Sequence, residues 1–139
     1  MKLSLTKELH KAFPNLYSRP VGFDCGDGWL NLLVRLSTQL EPLIIQYKID
    51  YPGQPAPQVS QVKEKYGTLR FYMDCATDEM WDYIEEAESR SHHICEICGA
   101  ERKSIKPREI KGWVVTYCWK HALKRCLKRT LKMGDWTSI

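Results

Sequence analysis

Three patterns in this 139-residue chain predict an α+β fold. Apolar residues recur at three- and four-residue steps in several segments, the signature of amphipathic helices. Between residues 59 and 73 the period changes to two, with Tyr66-Gly67 in the middle, which reads as a β-hairpin. Near the C-terminus stand Cys95 and Cys98, then, after about twenty residues, Cys118 and His121. Paired ligands at such spacing close a tetrahedron around one ion, and three thiolates with one imidazole suit Zn²⁺. The architecture expected is a helix–hairpin–helix body over residues 1–93 and a zinc module over residues 94–139.

Leu3, Leu5, Leu9 and Phe13 mark a first helix, stopped by Pro14. Asp27 is placed as the N-cap of a second, with Trp29, Leu32, Leu33, Leu36 and Leu40 as its buried stripe and Pro42 near its end. Residues 50–57 hold three prolines and read as an irregular connection. In the hairpin, Val62, Glu64 and Tyr66 alternate with Gln61, Lys63 and Lys65, and Leu69, Phe71 and Met73 with Thr68, Arg70 and Tyr72. A third helix is expected from about Asp78 to Arg90, capped by Thr77, with acidic residues at its positive end. Met80, Trp81, Ile84 and Ala87 form its expected buried stripe, with Asp82, Glu85, Glu86 and Glu88 facing outward.

The module begins with the knuckle Cys95-Glu96-Ile97-Cys98-Gly99, where glycine permits the chain to turn back with positive φ. Short strands are expected over Ser104–Ile110 and Gly112–Tyr117, turning at Lys111-Gly112. Cys118 then ends the second strand and His121 falls in the first turn of the last helix. Knuckle, hairpin and ligands at a helix N-terminus come in the order of a treble clef. On the last helix, Trp119, Ala122, Leu123, Cys126, Leu127, Thr130 and Met133 gather on one side, expected to dock on the core. Lys120, Lys124, Arg125, Lys128, Arg129 and Lys132 gather on the other as a basic ridge.

Charge divides along the same line. Residues 1–94 hold 10 Lys/Arg against 13 Asp/Glu, whereas residues 95–139 hold 11 against 4. The second part therefore favours polyanions or an acidic surface as partners. No apolar run reaches the roughly 20 residues that span a bilayer, and the N-terminus turns charged too soon for a secretory leader. A cytoplasmic protein without membrane association is expected. In a reducing compartment its six cysteines point to metal rather than disulfides. Cys25, Cys75 and Cys126, outside the ligand set, are expected to be buried thiols.

Enzyme signals are few. Nuclease sites built on a treble clef need a catalytic His on the hairpin, and none lies between Cys98 and Cys118. Four protein ligands also leave zinc no open position for water. His92-His93 reads as a helix C-terminal feature and Asp24/Asp27 as turn and cap residues, rather than as a second site. A non-enzymatic protein with one structural zinc is the expectation.

Four stretches together resemble a family of small phage and prophage proteins whose function is uncharacterised. They are Cys25-Gly26-Asp27-Gly28-Trp29, the run Gln61 to Tyr72, Glu86 to Ser91 leading into Cys95-x-x-Cys98, and Gly112-Trp113 with Tyr117-Cys118 and His121. The resemblance implies a bacterial host cell as the setting and supports the four zinc ligands. In that setting an accessory nucleic-acid-binding role for the ridge is expected. The alternative is an inhibitor of host antiviral defence, binding a host protein or sequestering an anionic nucleotide among Tyr66, Arg70, Tyr72 and Trp113.

Overall fold

A computed structural model describes residues 1–133, with side chains described to residue 128. The elements are α1 (Leu3–Ala12), β1 (Phe23–Asp24), α2 (Leu30–Asp50), β2 (Gln58–Lys65), β3 (Thr68–Asp74), α3 (Asp78–Ser91), β4 (Arg108–Ile110), β5 (Trp113–Val115) and α4 (Trp119–Met133). The fold is α+β, as the periodicities predict.

Helix α2 and helix α3 pack together, and α3 covers the sheet β1-β2-β3. Leu32, Leu33, Leu36, Leu40 and Ile44 of α2 are buried, as are Met80, Ile84 and Ala87 of α3. These meet Val59, Val62, Leu69, Phe71 and Met73 from the hairpin in one core. The hairpin turns at Tyr66-Gly67, whose φ angles of 53° and 76° are those of a type I′ turn. A bulge between Val59 and Gln61 re-phases β2, so Val59 and Val62 both face the core although they are three positions apart.

Several expectations need correction. Pro42 does not end α2, which continues to Asp50. Proline removes a backbone hydrogen bond, but Leu40 and Ile44 on either side are both fully buried and hold the helix in place. Asp27 does not cap α2 with its side chain; it opens a 3-10 turn, Asp27–Trp29, and its carboxylate accepts the Lys2 backbone N–H at 2.8 Å. Trp81 lies 42% exposed, outside the stripe of α3. Glu88 turns inward, accepting the Phe71 N–H at 2.9 Å where β3 would otherwise leave a donor unpaired. Thr77 does cap α3, accepting the Met80 N–H. Cys25 is buried as expected, but Cys75 is exposed and Cys126 is half-buried. The two-residue strand β1, parallel to β2 through Phe23 and Val62, is an element the periodicity did not announce.

Candidate metal centre

The knuckle is built from backbone hydrogen bonds. Gly99, with φ 76°, turns the chain so that its N–H reaches the Cys95 carbonyl at 2.8 Å, while the Cys95 N–H donates to Ala100 at 2.9 Å. The second ligand pair is brought in by the strand before it. The Glu96 N–H donates to the Thr116 carbonyl at 2.9 Å, which sets Cys118 beside the knuckle. Strands β4 and β5 are shorter than expected but turn at Lys111-Gly112, with φ angles of 53° and 82°. Cys118 lies beyond β5, immediately before α4, and His121 sits in the first turn of that helix.

This local order brings Cys95, Cys98, Cys118 and His121 together, with ligand atoms all within 4.8 Å of one another. The Cys98 and Cys118 sulfurs are 3.9 Å apart. His121 Nδ1 lies 3.6 Å from Cys95 Sγ and 3.2 Å from Cys118 Sγ. A tetrahedron with metal–sulfur bonds of about 2.3 Å and metal–nitrogen bonds of about 2.0 Å has edges of roughly 3.8 Å (S···S) and 3.5 Å (S···N). The Cys98–Cys118 and Cys95–His121 separations lie close to those edges, and the Cys118–His121 separation is about 0.3 Å shorter. The donor set therefore fits one metal ion held by three thiolates and an imidazole bound through Nδ1.

Electrostatics also distinguish the ligands. Burial pushes the Cys95 thiol up, against the backbone N–H groups of Cys118, Cys98 and Ile97, which favour its thiolate. At Cys118 burial works upward too, but the His121 backbone N–H, the His121 ring and the neighbouring thiols outweigh it and bring the thiol down to about 6. A helix N-terminus favours thiolate in this way.

The knuckle is also docked on a cradle from the front of the chain, which sequence reasoning missed. The Gly26 N–H donates to Glu96 Oε1 at 2.9 Å, and the Gly28 N–H donates to the Glu96 carbonyl at 2.8 Å. Trp29, fully buried, donates its indole N–H to the Ile94 carbonyl at 3.0 Å. A Cβ on Gly26 would stand 2.2 Å from the Glu96 carbonyl oxygen, and one on Gly28 would stand 2.3 Å from that of Cys95. Only glycine admits so close an approach. The motif Cys25-Gly26-Asp27-Gly28-Trp29 is thus the seat of the knuckle. Its glycines on either side of an aspartate were the available signal. Burial raises the Glu96 carboxyl, partly offset by the Gly26 N–H. At the other end, the Thr116 hydroxyl donates to the Gly67 carbonyl and joins the hairpin turn to the module.

Other expected sites are distributed differently. His93 Nδ1 donates to the Ile105 carbonyl at 2.8 Å and His10 Nε2 to that of Val21 at 2.8 Å. Among the described residues, the Cys/His cluster is the one group of three or more such side chains placed to hold a metal. Lys120, Lys124 and Lys128 are exposed on α4. Arg125 is instead half-buried, over the Tyr117 ring at 5.9 Å. The side chains of Arg129 and Lys132 lie outside the described residues. Among the described residues the apolar side of α4 does not dock on the core, since Trp119, Leu123 and Leu127 are 67%, 51% and 54% exposed; the side chains of Thr130 and Met133 lie outside the described residues. Among the described residues, the helix is tied to the module by the ligand pair at its start, by Arg125 on Tyr117, and by Lys111 Nζ on the Cys126 carbonyl at 3.0 Å.

Tyr66, Tyr72 and Trp113 are exposed, and Arg70 is half-buried with its guanidinium 3.9 Å from Glu88. Tyr72 lies four residues past Thr68 on β3, so it is about 13 Å along the strand from the turn that carries Tyr66. The two tyrosines do not meet in one pocket. No family model, no curated protein and no solved structure matches the chain.

Proposed function

We propose that the protein is a non-enzymatic zinc protein of phage biology whose treble-clef module presents a basic helix to nucleic acid. The spacing of the four ligand atoms supports zinc, which accepts sulfur and nitrogen donors at tetrahedral angles without redox chemistry. The single observation that carries the binding role is the row Lys120, Lys124 and Lys128. These lysines are exposed at four-residue steps and, among the described residues, form no ion pair with a carboxylate. A row of that kind follows a phosphate backbone without reading bases.

The test is affinity against salt. The slope of log K against log salt should be about −0.9 for each duplex phosphate neutralised. Lys124→Ala with Lys128→Ala should weaken binding equally on unrelated sequences and flatten that slope by about 2. Absence of DNA and RNA binding at low salt would end this reading.

A second reading, docking of a host protein, is favoured by the exposed stripe Trp119, Leu123 and Leu127 beside those lysines. It predicts a stoichiometric complex that survives high salt, because apolar burial is not screened.

A further inference from the structure

We propose a second ligand site, for a nucleoside monophosphate unit, in the cleft between the metal centre and the loop that follows the knuckle. The cleft encloses about 440 Å³, within the range of small-molecule pockets. One wall is the ligand pair Cys118 and His121 at the start of α4. Arg102, Arg108 and Lys120 bring three cations to it, and Ile105, Tyr117 and Trp119 supply an apolar wall. Among the described residues, no carboxylate lines it. Among the described residues, none of the three cations is in an ion pair. With a divalent metal bound, three thiolates leave the centre at about −1, and the three cations turn the cleft to about +2.

The backbone that presents these groups is fixed. The Arg102 N–H donates to the His93 carbonyl at 3.0 Å, and the Ile105 N–H to the Arg102 carbonyl at 2.9 Å. The His93 ring holds the Ile105 carbonyl from the other side. Trp119 exposes most of its indole at the mouth, with the Lys120 ammonium 5.7 Å from the ring. Guanidinium groups bind phosphate with two parallel hydrogen bonds, and an exposed indole stacks a base. An inorganic anion would use the cations and leave the aromatic wall empty. A phosphate joined to a flat heterocycle uses both. The same chemistry is offered by a free nucleotide and by the phosphorylated end of a single strand.

This site shares Lys120 with the lysine row but is separable from Lys124 and Lys128, because Arg102 and Arg108 stand outside α4. The test titrates the zinc-loaded full chain with AMP, with adenosine, and with a 5′-phosphorylated single-stranded oligonucleotide, following tryptophan fluorescence. AMP is expected to bind at least tenfold more tightly than adenosine. Arg102→Ala with Arg108→Ala should weaken AMP at least tenfold at unchanged zinc content, and Lys124→Ala with Lys128→Ala should leave AMP binding as it is. If the oligonucleotide binds tenfold more tightly than AMP with the same arginine dependence, the ligand is a strand end; equal affinity identifies the free nucleotide. Binding of neither, equal binding of adenosine, or indifference to the arginine pair overturns the site. Loss of duplex binding in the lysine pair bears on the helix row alone.

Discussion

Helices α2 and α4 carry similar apolar stripes and meet different fates. Five aliphatic side chains of α2 are buried against α3 and the sheet, each contributing roughly 1.5–3 kcal/mol of gross burial. On α4, Trp119, Leu123 and Leu127 remain half exposed or more. The body is held by a core. Among its described residues the module buries Ile94, Cys95, Ile105, Ile110, Val115 and Thr116, which is too little apolar surface to order some forty residues. We propose that its order comes from a metal held by the ligand cluster and from the glycine cradle.

That difference can be broken first at the ligands. Cys98→Ala should abolish metal binding, a term of about 10–16 kcal/mol in small zinc modules. Elemental analysis should fall from one zinc per chain to near none, while the far-UV helical signal of α2 and α3 persists. Next is the anchor between the two regions. Trp29→Ala should cost about 3–5 kcal/mol, seen as a lower denaturation midpoint, because it empties a buried site and orphans the Ile94 carbonyl. Gly28→Ala sharpens the comparison with a smaller change. Its methyl group would meet the Cys95 backbone, so about 1–3 kcal/mol of overpacking strain is expected. Zinc affinity should fall with it, since the displaced atoms belong to a ligand residue. An unchanged zinc affinity would show that the cradle supports the body alone.

How far the sequence carried depends on what each signal encodes. The turns at Tyr66-Gly67 and Lys111-Gly112 were legible because paired positive φ angles select a few residue types. The four ligands were legible because their spacing has a geometric cause. Amphipathicity, by contrast, says that a helix has two sides and not that anything covers the apolar one, and α4 was misjudged on that account. Trp81 and Glu88 were assigned by period alone, which cannot register that β3 needs an acceptor for the Phe71 N–H. Pro42 was placed near the end of α2, although the helix runs on to Asp50 because burial of Leu40 and Ile44 on both sides outweighs its local cost. The segment holding Gly26 and Gly28 was read through Asp24 and Asp27 as turn and cap residues, with no role given to its glycines. Their real constraint, the approach of a knuckle some seventy residues away, exists only in three dimensions.

Amide hydrogen exchange on the intact chain, with and without a zinc chelator, tests most directly whether metal orders the module while a core orders the body. Chelation should strip protection from residues 95–128 and leave α2, β2, β3 and α3 protected. Uniform loss of protection, or no change once elemental analysis shows the metal gone, would contradict the account.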